Sequence, residues 1–342
     1  MRAKKGEIEF ANVILRQGTR HLLDLADDVV LPTIFSGQER KTGKRAYRPA
    51  RWFFKRPAVV DLGSNRYGVA FEFMKDWTLR SDQHLDENDE LVPRVKRVAT
   101  ASAALGLTVL HETEHFLAYL PTTSFAPSVK ELEKTLNWMM QSKLREELMG
   151  KVAAVEPDER LRKKALRAVE RETEWPTLKL VALTNKESIA EALEHFAKVR
   201  SFTIRIEEPN PAEYEADSEL FEMMKGRRVS TNAKKASVSF ERRTGEGLNK
   251  EAVLEDAKGA ADDPNTHLVI KGENADDIEI VRDNSAFAVR KPFKSDVGTP
   301  RATAPKMFEE IVEATKSLKL PKPAEQLMSK AKDLYEKWKN KK

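Results

Sequence analysis

Val59-Val60-Asp61-Leu62 and Tyr67-Gly68-Val69-Ala70-Phe71-Glu72-Phe73 alternate at a period of two on either side of Gly63-Ser64-Asn65. That pattern predicts a β-hairpin, because successive residues of a strand face opposite sides and Gly and Asn tolerate the turn. The first hundred or so residues extend the theme as short strands separated by turns. Phe10 to Leu15 is apolar and β-branched, and Leu22 to Leu31 suits a short helix. Gln38 to Pro57, polar and broken by Gly43, Pro49 and Pro57, reads as a loop or an irregular edge, and the acidic run Asp82 to Glu90 as a solvated loop.

Further on, Leu107–Leu110 and Phe116–Leu120 form two strand-like runs around a polar pentapeptide. Ser128-Val-Lys-Glu131 is a capping box that opens a long helix, and Asp158 to Thr173 forms a second, heavily charged one. Leu178–Leu183, a helix capped by Asn185 and Phe202–Ile206 read as a β-α-β unit with a parallel strand pair. Helices at 216–225 and 249–261 and strands at 236–241, 267–270, 278–282 and 286–290 follow, then a linker at 294–305 and two terminal helices. The expected class is α+β. It comprises a β-rich N-terminal domain at 1–125 with a basic loop at 38–57, a helical connector at 126–175, a mixed-sheet α+β domain at 176–293, and a linker with a helical tail at 294–342.

Composition narrows the chemistry. The chain has no cysteine, which removes disulfides, thiolate nucleophiles and thiolate metal sites and fits a cytoplasmic protein. Uncharged stretches such as Val98 to Leu110 are far shorter than the ~20 apolar residues that span a bilayer, so no membrane insertion is expected. Met1-Arg-Ala-Lys-Lys-Gly-Glu has no apolar run behind it and does not read as a secretory signal. A net charge of +5 is too mild to name a partner by itself.

His111-Glu112-Thr113-Glu114-His115 satisfies H-E-x-x-H, in which two histidines one helical turn apart hold zinc. Its flanks are β-patterned, so a polar turn is expected and the metal reading is the alternative. Phosphate-binding glycine loops and nucleophile elbows are missing, and Gly245-Glu-Gly247 suits a turn before Asn249. Scattered carboxylates such as Asp61, Glu72 and Asp76 leave a two-metal nuclease open as an alternative. His21, His195 and His267 are expected to pack or cap. No catalytic residue and no cofactor is assigned.

The strongest signal is basic and aromatic. Gln38 to Arg56 holds eight cations, Arg40, Lys41, Lys44, Arg45, Arg48, Arg51, Lys55 and Arg56, against the single Glu39, with Tyr47, Trp52, Phe53 and Phe54 interleaved. Clustered Arg and Lys neutralise phosphates and release counterions, and aromatic rings stack on bases or anchor the segment. A second set, Arg227, Arg228, Lys234 and Lys235 with Lys225, Arg242 and Arg243 nearby, surrounds a strand where Ser230-Thr-Asn232 would let backbone amides approach phosphate. The last helix adds Lys330, Lys332, Lys337, Lys339, Lys341 and Lys342, which suits docking with a solvated basic face.

The order of segments, with the string Glu114-His-Phe-Leu-Ala-Tyr-Leu-Pro-Thr-Thr-Ser-Phe-Ala-Pro-Ser-Val-Lys-Glu-Leu132 and Phe202-Thr-Ile-Arg-Ile-Glu-Glu-Pro-Asn-Pro211, resembles prokaryotic antiphage-defence proteins of the RexA and KwaB type. The resemblance implies a DNA-binding, dimeric, non-catalytic sensor or effector that acts in phage exclusion with a partner protein. The combined expectation is a protein that binds double-stranded DNA through phosphates with little sequence preference. Replacing Arg45, Arg48 and Arg51 by Glu should then abolish binding. A metal-dependent nuclease or hydrolase, or an adaptor that grips an acidic protein with its basic patches, is the alternative.

Overall fold

The computed structural model describes residues 5–42, 50–85, 91–111, 113–207, 219–316, 318 and 325–341, with the backbone alone for 78–85, 91–99, 219 and 325–328. In chain order, β1 (Glu7–Gln17) and β2 (Arg20–His21) lead into α1 (Leu22–Leu25), a π turn (Ala26–Val30) and α2 (Leu31–Phe35). The β3 (Glu39–Lys41), β4 (Ala50–Gly63), β5 (Arg66–Leu85), β6 (Leu91–Leu110) and β7 (Phe116–Pro121) strands follow. Next come α3 (Val129–Val155), α4 (Glu159–Glu172), β8 (Thr177–Ala182), α5 (Lys186–Glu194), β9 (Lys198–Glu207), α6 (Glu219–Ser230) and β10 (Lys235–Glu241). The chain ends with α7 (Lys250–Ala260), β11 (Thr266–Glu273), β12 (Glu279–Asp283), β13 (Arg290–Pro292), α8 (Pro300–Thr315) and α9 (Glu325–Trp338). The class is α+β, with a β-rich N-terminal sheet, helices in the middle, a mixed α and β C-terminal region and a helical tail. No helix among the described residues is long and apolar enough to cross a membrane.

The hairpin expected at Gly63-Ser-Asn65 is there. Gly63 pairs with Arg66, and Ser64 and Asn65 both take positive φ (52° and 59°), the two-residue turn whose twist suits flanking strands. It seeds a nine-stranded sheet ordered β13-β1-β7-β6-β5-β4-β3, with β2 and β8 also on β1. Helices cover both faces. On one, Leu22, Leu31, Leu132, Leu136, Met139 and Trp338 meet Val13, Phe54, Val69 and Phe71; on the other, Ala304, Met307 and Ile311 meet Phe10, Val60, Leu107 and Phe116. Burial on both faces is why Phe10 to Leu15 reads as a continuous apolar run.

Several expectations are corrected. Residues 50–57 belong to β4 and are not part of a loop, because Trp52 and Phe54 turn into the core while Arg51 and Lys55 face out. The parity changes at a bulge: Lys55 pairs with Glu72 and Ala58 with Ala70, so Arg56 (φ 49°) and Pro57 oppose one residue. Asp82 to Leu85 continue β5, and residues 86–90 lie outside the described residues. Strands β8 and β9 form no parallel pair. Instead β8 runs antiparallel to β1 (Ala11 opposite Ala182) and β9 is central in a second sheet, ordered β10-β9-β11-β12. Pro300 to Pro305 open α8 behind the cap Thr299 and are not linker.

The second sheet packs Phe202, Ile204, Ile206, Leu268 and Ile270 against Ile189, Leu193, Phe221, Val253 and Ala257 of α5, α6 and α7. Asn12 of β1 donates to Asn265 (2.9 Å) and Lys130 of α3 bridges Asp283 (3.0 Å), joining the two sheets.

Candidate nucleic-acid interface

Among the described residues, strand pairing neutralises three of the five cations of the first basic segment. Arg51 reaches Asp76 (2.8 Å) and Glu39 (2.9 Å), Lys41 reaches Glu39 (3.2 Å), and Arg56 reaches Glu72 (2.8 Å). Arg40 lies 4.7 Å over the buried Trp52 ring and donates to Thr135 (3.1 Å), and burial pushes its guanidinium down from its ordinary value against the pull of Glu131. Trp52 is a core residue that holds Arg40 and Lys75 above its ring. Lys55 alone of these cations is exposed and unpaired among the described residues. Lys44, Arg45 and Arg48, and with them Tyr47, lie outside the described residues.

The second set is arranged differently. Arg227, Lys234 and Lys235 are exposed with no acidic partner among the described residues, at the end of α6 and the start of the edge strand β10. Arg228 is buried, and Lys225 is buried against Asp263 (3.2 Å). The amides near Ser230 to Asn232 are not available to phosphate: Thr231 N–H donates to Arg227 O and Asn232 N–H to Val229 O, closing the helix. Arg242 donates to Gly247 O (3.3 Å) and Arg243 binds Glu241 (3.1 Å).

These cations continue onto a sheet face that residue-type counting does not single out. Because Phe202, Ile204 and Ile206 face the helices, Thr203 and Arg205 face away, and the registers set Ser237 and His267 on either side of Arg205. Lys235, Ser237, Ser239 and Lys271 on this face are exposed, and the hydroxyls of Thr203 and Ser239 meet at 2.9 Å. Its acids Glu241, Glu273 and Asp283 are taken by Arg243, Arg200 and Lys130, Glu207 lies opposite Lys235, and Glu279, opposite Glu273 on the neighbouring strand, is exposed. The signal was the alternation in Phe202-Thr-Ile-Arg-Ile206.

The H-E-x-x-H string sits on the β6–β7 turn, so the helical spacing that aims two histidines at one metal is absent, a correction to that alternative. His115 is buried and pushed down to about 3 by burial, and its carbonyl accepts from Val13 N–H (2.6 Å). The Nδ1 of His111 accepts from Thr113 N–H (3.4 Å), and burial lowers its pKa too. Glu114 is clamped by both arms of Arg66 at 2.7 Å, and Glu112 lies outside the described residues. Glu72 and Asp76 serve the ion pairs above, and Asp61 accepts from Gly63 N–H in the hairpin turn. No group of three or more His, Asp or Glu that could hold a metal occurs among the described residues. Gly247 (φ 87°) packs on Val199, whose carbonyl would lie 2.6 Å from a Cβ there, so the glycine serves a turn. His21 caps α1 and His195 ends α5.

Residues 146–276 match a family described as a domain of unknown function (DUF4747), from the outer half of α3 through β11. The match covers less than half of the chain and contains the whole Arg227, Lys234 and Lys235 surface. No curated protein and no solved structure matches the chain.

Proposed function

We propose that the protein is a non-catalytic nucleic-acid-binding protein that holds double-stranded DNA through phosphate contacts with little sequence preference. The observation that carries this is the run of exposed cations Arg227, Lys234 and Lys235, without an ion pair among the described residues, continued by Arg205 and Lys271 among serine and threonine hydroxyls. Hydroxyls and cations are the groups that position a protein on a phosphate backbone. The face carries no exposed aromatic ring among the described residues, whereas single-strand binders stack bases on such rings. Phe240 is partly exposed but stacks on Phe202 at the helix side. A role in antiphage defence with a partner protein stays part of this reading on the resemblance alone.

Binding to a fluorescent duplex across a salt series tests it. Affinity should fall steeply with salt, and the combined R227E/K234E/K235E variant should flatten the log–log slope by about three, near one per lost phosphate contact. Unchanged affinity in that variant removes this surface.

A second reading, self-association, is favoured by the α3–α4 hairpin. It leaves Met149, Leu161 and Val169 exposed, with the acids Glu146 and Glu147 on α3 and the cations Arg160, Lys164 and Arg167 on α4. A two-fold pairing of two copies would set acid against base. Sedimentation equilibrium should show a dimer that L161E dissociates; a monomeric wild type ends this reading.

A further inference from the structure

A cleft of about 440 Å³ opens where the two sheets meet, on the face of the large sheet that α3 packs against. Its floor is one face of β1 and its neighbours. Glu9 stands opposite both Tyr119 of β7 and Arg290 of β13, and Ala11 stands opposite Ala182 of β8, with Leu180 the next residue of β8 on that face. Helix α3 leaves this part of the sheet uncovered because its first buried side chain is Leu132, a turn into the helix. One wall of the cleft is the amino end of α3, from Pro127 to Lys130. The other is His267 of β11 with Asp283 and Ser285 at the end of β12.

The polar groups of the cleft are held in place. Arg290 bridges Glu9 (3.1 Å) and donates to the Ser285 carbonyl (2.7 Å), and Lys130 reaches Asp283 (3.0 Å). At the first turn of α3, the Ser128 hydroxyl takes the Glu131 amide (3.3 Å) and its carbonyl takes the Leu132 amide (3.0 Å). The amides of Val129 and Lys130 keep no acceptor among the described residues, at the positive end of a 27-residue helix. Nδ1 of His267 is buried, also without a hydrogen-bond partner among them. Burial pushes the Glu9 carboxyl up and the His267 imidazole down, and shifted groups gathered in a cavity accompany functional sites. Between the polar groups the surface is apolar, made by Ala11, Ala126, Pro127, Leu180 and Ala182.

We propose that this cleft binds a small carboxylate with an apolar body, the carboxylate on the first turn of α3 beside Lys130 and the body on Ala11, Leu180 and Ala182. Apolar walls with a few fixed polar groups, at the junction of two packed units, are the make-up of a small-ligand site. The free amides of a helix amino end take a negative group. Glu9 and Asp283 already place two carboxylates in the cleft and repel a second negative charge on the ligand, which selects a carboxylate over a phosphate monoester. The site is independent of the DNA-binding reading, and its test uses no duplex.

The test is isothermal titration calorimetry of the full chain at neutral pH with three probes of one shape: 2-naphthoate, 2-naphthylmethanol and 2-naphthyl phosphate. 2-Naphthoate should bind once per chain, and the alcohol and the phosphate about tenfold or more weakly, the factor that one charge-assisted hydrogen bond supplies. Lys130→Gln, at a side chain 70 % exposed, should weaken 2-naphthoate about tenfold and leave the alcohol unchanged, a split that a merely structural role does not produce. Ala182→Leu, which puts a larger side chain into the cleft, should abolish 2-naphthoate binding at an unchanged urea midpoint; if that variant unfolds, Lys130→Gln decides.

No saturable binding of 2-naphthoate overturns the proposal. Equal binding of the alcohol reduces the cleft to an apolar groove, and tighter binding of the phosphate makes it a phosphate site, so either result overturns the carboxylate assignment. Undiminished 2-naphthoate binding in either folded variant places the ligand elsewhere and overturns the site.

Discussion

The ring of Phe71 covers Gly106, its register partner on the neighbouring strand, so closely that a Cβ on Gly106 would stand 2.3 Å from it. Phe71 is itself held edge-on by Phe54 at 5.2 Å. Gly106→Ala should therefore overpack the centre of the large sheet and cost about 1–3 kcal/mol. The urea midpoint measures this, and Phe71→Leu added to Gly106→Ala should recover part of the loss. A neutral Gly106→Ala would show that the ring moves aside freely.

The C-terminal helix is a structural cover. Trp338 donates to Asp27 (2.8 Å) and packs on Phe35 (5.3 Å), Tyr335 stacks on Tyr67 (4.9 Å), and Lys337 binds Asp27 (2.6 Å). Trp338→Ala should cost about 3–5 kcal/mol, read as a lower urea midpoint. An unchanged midpoint would mean that α9 is not part of the cooperative fold.

Acid should loosen the same helix. Hydrogen bonds from Lys337 and Trp338 hold the Asp27 carboxyl below its ordinary value, and those from Lys330 and the His21 amide outweigh burial to do the same for Asp24. A depressed carboxylate contributes stability that is present above its unfolded pKa and lost as pH falls through the folded one. The window is therefore below about pH 4. The thermal midpoint should drop there in the wild type and drop less in Asp27→Asn.

His115 acts in a higher window with the same direction. With its folded pKa near 3, the unfolded chain binds the extra proton below about pH 6.5, and stability falls as pH falls. The loss from pH 7.5 to 5 should be about 2 kcal/mol. Urea midpoints across that range should show it, and His115→Gln should flatten the slope whatever its own stability.

Lys225 of α6 and Asp263, in the turn between α7 and β11, form a buried pair, and Asp263 also accepts from Asn265. Asp263→Ala leaves Lys225 buried without that partner and should cost about 3–5 kcal/mol. Replacing both residues with apolar ones of similar volume should cost less. Equal losses would show that the pair itself carries the stability.

The helix starts were legible because their signals are local. Ser128 caps α3 through Glu131, Asn185 caps α5 and Asn249 caps α7, all from side chains within three residues of the amides they satisfy. The hairpin turn at Ser64 and Asn65 was legible for the same reason. The fate of the basic segment was not. Extrapolating from Gly63 opposite Arg66, the register meets two shifts before Arg51 reaches Asp76, and neither shift is written in residue types. Without them, eight cations look free where most of the described ones are paired.

The sequence by itself determined the α+β class, the cap and turn positions and the alternation that sends Arg205 to one side of its strand, because each follows from neighbours a few residues away. Only the tertiary structure decided which charges remain exposed. It also decided that β8 and the tail helices complete the N-terminal sheet. Strand partners are chosen by burial across the whole chain, and β1, buried on both faces, takes β8 and β13 beside it from segments more than 150 residues away.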